Sequence, residues 1–440
     1  MRTSFWVFRI VAATTFALLT QLSAGAKPSE DAGAAFSYKL AQPAFVTLVI
    51  EKEDGTRIRN LLACAKREAG ENSETWDGLD DIGLPAPVGK YRWRGLMHDE
   101  ISSHFQAAFN SPGNPPWNAI DIPNGWNLRS AGSGGWLSDH AAPQCVYAAE
   151  GKIFVGSSLA EAGNSLMELD LEGVKKWGTL WFSTSCADAV ATDEGIIYVA
   201  GEKHWMGDKL KVHRLALATH KFVPNPPEWG KVKRQDAAFV DEISKNFSGI
   251  RGLVITPEYL VLALTDKGRL ALFDKKTADF VKDIPLPEVG GICKGTQGTL
   301  FAISGKSVVK VDLDSGKLLP VVSSDLVAPC QVAVDAGGAG NFYVSDAAAS
   351  EQCVKVFAPD GKFLRTIGEK GGRHEGKYDP RVMGNPAGLA VDSAGKLWVA
   401  ENEFLPKRIS VWSTKGELLK EFIGPPYYGG GGSLDPHNAK

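Results

Sequence analysis

The side chains with chemical capacity fall in a few clusters. Asp139-His140, and His98-Asp99-Glu100 with His104 close behind, pair imidazoles with carboxylates, the donor types used for a zinc site or a general base. A metal needs three or four such donors converging at about 2 Å, and both clusters lie in loop-like sequence whose geometry is not fixed locally. Ala131-Gly132-Ser133-Gly134-Gly135 approaches a nucleophile elbow, but it lacks the first Gly and no strand precedes it, so it reads as a turn. There is no H-E-x-x-H, phosphate loop or EF-hand pattern. Asp77, Asp80 and Asp81 offer carboxylates to calcium; the favoured reading is an Asp-rich turn whose side chains accept its own backbone N–H groups. Six cysteines, at 64, 145, 186, 293, 330 and 353, include no C-x-x-C pair, which excludes zinc ribbons and thioredoxin-like redox sites.

These residues sit in a chain of 440 with 48 Lys and Arg against 51 Asp and Glu, a net charge of −3. A nucleic-acid partner is excluded on that balance, because phosphate neutralisation requires a surplus of cations. The first 26 residues read as a secretory signal: Arg2 and Arg9 flank the mostly apolar run from Ile10 to Leu22, and cleavage is expected after Ala24-Gly25-Ala26. That run is too short to span a bilayer, and no later one is long enough, so no transmembrane segment is expected. The predicted location is secreted, periplasmic or cell-surface. Export permits disulfides, but six cysteines allow fifteen pairings and nothing in the sequence chooses among them.

The elements that must position the chemistry are short strands. In residues 36–97, runs of apolar and polar alternation are separated by Asp54-Gly55, Gly70-Glu71-Asn72 and Asp80-Asp81-Ile82-Gly83, which predicts a small antiparallel sandwich. Val46 to Ile50, Asp54-Gly55, Trp76-Asp77-Gly78, Asp80 to Gly83 and Val88-Gly89-Lys90-Tyr91-Arg92-Trp93 together resemble the immunoglobulin-like domain of the flagellar hook-capping protein. That resemblance implies a spacer or adhesion-type module without chemistry of its own. Residues 98–142 are rich in Gly, Pro and Asn, yet hold Trp117, Trp126 and Trp136. A flexible linker would lack such indoles, so an ordered connecting loop is expected.

From residue 143 the chain repeats. Pro386 to Asp392, Gly395 to Glu401, Arg408 to Trp412 and Lys420 to Gly424 form one copy, and Pro329 to Asp335, Asn341 to Asp346, Cys353 to Phe357 and Arg365 to Gly368 another. Four strands joined by Gly-containing turns make one propeller blade. Both copies look like NHL repeats, and the ring belongs with the TolB-like six-bladed propellers by resemblance. Fainter copies bring the count to six, with first strands near 144, 187, 249, 290, 331 and 387. The expected fold is all-β: a small immunoglobulin-like β-sandwich followed by a six-bladed β-propeller over 143–424. A Gly-rich tail, 425–440, ends the chain either as a tail or as a linker leading onward. Blade six supplies all four of its strands, so no N-terminal strand is needed to close the ring, while 98–142 is placed to clasp it.

Two connections exceed what the repeat requires, Val223 to Phe247 and Glu369 to Asn385. They open on the same rim as the loops Gly156 to Ser165 and Gly201 to Lys209, and loops longer than the fold requires are where rigid scaffolds carry function. The predicted ligand-binding rim is Glu161, Asn164, Glu202, His204, Trp205, Asp346, His374, Asp379, Glu401 and Asn402. Cys145, Cys186, Cys293 and Cys330 align near the starts of innermost strands. They form a thiol-lined or disulfide-stapled channel mouth, or they are small side chains packed where inner strands crowd, the favoured reading. With no catalytic residues predicted, the expected function is an exported, non-enzymatic binding or scaffolding protein whose rim recognises a protein or a carbohydrate; its oligomeric state is left open. No cofactor is predicted. The alternative is a metal-dependent enzyme, similar to gluconolactonase-like hydrolases or amidating-lyase propellers, with calcium or zinc at the channel and Asp188, Glu401 and Asn402 as candidate ligands. A purely structural surface spacer is the third reading.

Overall fold

In the computed structural model the chain separates into two units, residues 1–105 and 106–440. The structure describes residues 15–16, 22–23, 34–100, 137–138, 140–158, 160, 164–179, 187–201, 211–223, 239–240, 249–265, 268–374 and 378–424.

The first unit is a sandwich of two antiparallel sheets. Ala44–Lys52 lies between Arg57–Arg67 and Lys90–His98, with short pairings from Thr15–Phe16 and Leu22–Ser23 on the latter. Ala34–Leu40 pairs with Gly70–Trp76 in the facing sheet. Aromatic rings join the layers: Phe36 stacks on Trp93 at 5.0 Å, and Trp76 meets Tyr91 edge-on at 4.9 Å. Gly70–Trp76 is a strand where the sequence reads as a turn. Its partly inward positions hold Asn72 and Glu74 rather than apolar residues, and Glu74 is satisfied by Arg67 at 2.6 Å and the Tyr38 hydroxyl at 3.1 Å. A polar inner face hides the period-2 signal. The acidic turn accepts its own backbone: Asp77 binds the Leu79 N–H, and Asp80 binds those of Ile82 and Leu84.

Among the described residues the second unit contains six four-stranded sheets, each built from strands consecutive in sequence. The inner strands are Pro143–Ala149, Ala189–Asp193, Ile250–Ile255, Val289–Lys294, Pro329–Val334 and Pro386–Val391. Each packs beside the next, and the sixth returns to the first, which closes a β-propeller ring. Second strands such as Tyr259–Leu264 read as continuous apolar runs because both faces meet neighbouring blades. Outer strands such as Phe280–Pro285 are largely exposed. The turns repeat one device, an Asp that accepts backbone N–H groups two to four residues ahead, at Asp170, Asp274, Asp312 and Asp392.

Hydrophobic clusters sit between blades rather than at a common centre, one at each of the six blade interfaces. The one that closes the ring joins Val146, Ile153, Val155, Met167 and Leu169 of blade 1 to Ala390, Trp398, Ile409, Val411 and Phe422 of blade 6. Blade 6 owns all four of its strands, so closure is by packing, not by strand exchange. Leu137, at the end of the connecting segment, enters the same cluster. Its carbonyl accepts the Asn164 N–H at 3.1 Å, and the Ser138 carbonyl accepts from Lys407 Nζ at 2.8 Å. Residues 137–138 therefore clasp blades 1 and 6. Gly173 of blade 1 is required by the same joint: it adopts φ +86°, and a side chain there would run into the Phe422 ring. The fourth strand of blade 2, Phe239–Val240, lies inside the segment read as a loop after that strand; two residues carry no periodicity to read.

Candidate functional site

The six predicted rim residues among the described residues occupy quite different environments. Asp346 and Glu401 are each the last residue of a second strand, in blades 5 and 6, and both are fully buried. Asp346 accepts the N–H groups of Val327 at 2.8 Å and Ala328 at 2.9 Å, in the connection leading into blade 5, and pairs with Lys355 at 2.8 Å. Glu401 accepts the Gly384 N–H at 2.9 Å, in the connection leading into blade 6. It also accepts from the Ser410 hydroxyl at 2.6 Å and pairs with Arg373 and Arg408. The two acids are latches at equivalent positions that fasten the rim connections from within.

Among the others, Asn164 is buried. Asp379 binds Arg381 at 2.8 Å in the long connection before blade 6, and His374 is exposed in the same connection. Glu161, Glu202, His204 and Trp205 lie outside the described residues. Asn402 reaches the blade 1 inner strand, donating to the Pro143 carbonyl at 3.4 Å and to Gln144 Oε1 at 3.0 Å. Of the earlier metal candidates, Asp139 and His104 lie outside the described residues, and His98 Nδ1 contacts the Asp99 carbonyl at 2.7 Å. Among the described residues no group of three or more His, Cys, Asp or Glu side chains is placed to hold a metal ion.

What the ring does bring together is a cavity of about 520 Å³ on its axis, lined by the inner strands of all six blades. Toward the starts of those strands, the mouth carries Gln144, Asp188, Arg251 and Gln331; toward their ends lie Thr192, Lys294 and Asp335. None of the six rim residues among the described residues is in this lining, and Asn402 touches it through Gln144. Sequence reasoning missed Gln144, Arg251 and Gln331. The available signal was positional, since each interrupts an otherwise apolar or small inner strand, where the best repeat copy has Ala387 and Gly388.

Cys145 and Cys330 line the cavity near the starts of their inner strands as expected, whereas Cys293 lines it near the end of Val289–Lys294. All three are free thiols, while Cys186 lies outside the described residues. Burial, with the charge of Asp188 added, pushes the Cys145 thiol up to about 12. Burial alone does the same to Cys293. Such thiols are protonated and packed, not nucleophilic. The Cys145 Sγ lies 3.8 Å from the Ala187 carbonyl of the neighbouring blade, as expected of a small side chain filling crowded inner strands.

The latch makes a pH prediction. Burial pushes the Asp346 carboxyl up, but Lys355 and the N–H groups of Val327, Ala328 and Ala348 outweigh it, and the net shift is downward. A carboxyl depressed in the folded state contributes stability that is full above its unfolded value of about 4 and is lost as pH falls through the folded value. Asp346→Asn is therefore expected to be less stable than the parent at pH 6, with the gap closing as pH falls below about 4 and through the folded value, read from denaturant midpoints. A gap that stays constant with pH would show that the charge of Asp346 does not supply the latch.

The FlgD Ig-like domain model matches residues 24–94. This match lies within the first unit and overlaps the last three residues of the expected signal. The chain matches no curated protein. Among solved structures, it is similar to a streptogramin B lyase, at 15% identity over 64% of this chain and 83% of that one, with a TM-score of 0.40. It is similar to virginiamycin B lyase from Staphylococcus aureus, at 11% identity over 64% and 84%, TM-score 0.40. A nidogen/laminin complex aligns at 11% identity over 65% and 93%, TM-score 0.43.

Proposed function

We propose that the chain is an exported binding protein in which an immunoglobulin-like module is followed by an NHL-type propeller, the axial mouth of which recognises a protein or carbohydrate ligand. The observation that carries this reading is the axial cavity with polar side chains at its mouth, beneath rim connections fastened by buried acids. A cavity of this volume is within the range of small-ligand sites. Rim loops latched from within lose little freedom on binding, which favours affinity. The sandwich acts as the spacer. Export rests on the Arg2, Arg9 and Ala24-Gly25-Ala26 signal pattern.

The test is a glycan array and a pull-down from exported proteins, both with the folded full chain after removal of the signal. Specific, saturable hits are expected. A blank result in both would count against binding as the function. Stoichiometric calcium or zinc in protein purified without chelator would instead move the assignment toward the metal-dependent propeller enzymes.

A further inference from the structure

Arg251 is the second residue of the blade 3 inner strand and lines the axial cavity. It is exposed and pairs with no acid among the described residues. Its charge is felt at the Cys330 thiol, two blades away, where it offsets part of the upward push of burial. Arg251 and Cys330 both line the cavity. The intervening blade 4 starts Val289-Gly290-Gly291 and raises no side chain at its glycines. Gln331 folds over Gly291 instead, and its amide donates to the Arg251 carbonyl at 3.3 Å, tying down the backbone that carries the guanidinium. Elsewhere in the lining, Gln144 has its oxygen occupied by Asn402 at 3.0 Å, so its NH₂ is the unused group.

We propose that Arg251, assisted by the Gln144 amide, binds the carboxylate of a small ligand that enters the tunnel. This rests on the axial mouth being the binding site. A guanidinium presents paired N–H donors that match the two oxygens of a carboxylate. Among the described residues Arg251 is the cation at this mouth, and the Asp188 carboxylate lies in the same lining. The single charge of the Arg251 guanidinium is matched by the single charge of a carboxylate. The cavity, about 520 Å³, holds a ligand of one or two sugar rings. The carboxylate has two chemical sources, a uronic acid or an acidic amino-acid side chain.

Calorimetry on the full chain distinguishes them. The probes are digalacturonate with its methyl ester, and N-acetyl-glutamyl amide with N-acetyl-glutaminyl amide. In one of the two pairs, the acid is expected to bind at least about tenfold more tightly than its neutral mate, and the pair that responds names the source. Arg251→Gln should abolish the difference and Arg251→Lys should keep part of it, with unchanged melting for both because the side chain is exposed. If acid and neutral forms bind alike, and Arg251→Gln leaves both unaffected, the mouth remains a binding site but the carboxylate assignment is overturned. If neither acid binds, the carboxylate assignment is overturned too, while the array and pull-down still decide whether the chain is a binding protein.

Discussion

Glu401→Ala is expected to destabilise the propeller by about 3–5 kcal/mol, the range for removing one partner of a buried ion pair. Arg408 is 0% exposed and Arg373 mostly buried, and both lose a counter-charge. The Gly384 N–H and the Ser410 hydroxyl lose their acceptor in the same step, and Ser410 itself receives the Trp412 indole N–H at 2.9 Å. Glu421 stays 3.0 Å from Arg408, which keeps the cost within this range and not beyond it. Guanidinium unfolding followed by tryptophan fluorescence measures the change. A loss below about 1 kcal/mol would mean that Glu401 behaves as a surface acid, and the latch account of the rim would fail.

A similar loss is expected for Trp398→Ala, for a different reason. Trp398 is fully buried in the cluster that joins blade 6 to blade 1, with its ring parallel to Phe422 at 6.1 Å. Its indole N–H donates to Asp392 Oδ2 at 2.8 Å. Truncation removes a large apolar contact and leaves both a cavity and a buried acceptor without that donor, about 3–5 kcal/mol for Trp to Ala. Since this cluster is shared by blades 6 and 1, the loss must be shared across the joint. Hydrogen exchange should accelerate in Pro143–Ala149 and Lys152–Ser157 of blade 1 as well as in blade 6. Acceleration confined to blade 6 would show that another contact holds the ring shut.

The fold was readable because it repeats. Strand, Gly turn and strand recur at a spacing that places each inner strand within about two residues of its observed start, from Pro143 to Pro386. What escaped had no pattern to carry it: Gly70–Trp76 turns Asn72 and Glu74 inward, and Phe239–Val240 is too short for a period. The site was less legible than the fold. Asp346 and Glu401 look like rim residues because they end strands and are charged, and nothing local reveals that their carboxylates turn inward to the backbone of a connection. Their matching place in the two best repeat copies was the available hint of a shared architectural duty. Arg251 and Gln331 stayed hidden because the axis of a propeller is lined by the edges of inner strands, and period-2 reasoning assigns faces rather than edges.

The claim on which the rest depends is that ligands enter at the axial mouth. Arg251→Trp tests it most directly, because an indole at that exposed position narrows the mouth without disturbing the blade interfaces. The parent and this variant, shown to melt alike, are run on the same glycan array and in the same pull-down. The account predicts specific hits for the parent that disappear for Arg251→Trp. Hits that survive unchanged in the variant would place recognition elsewhere on the molecule and contradict it.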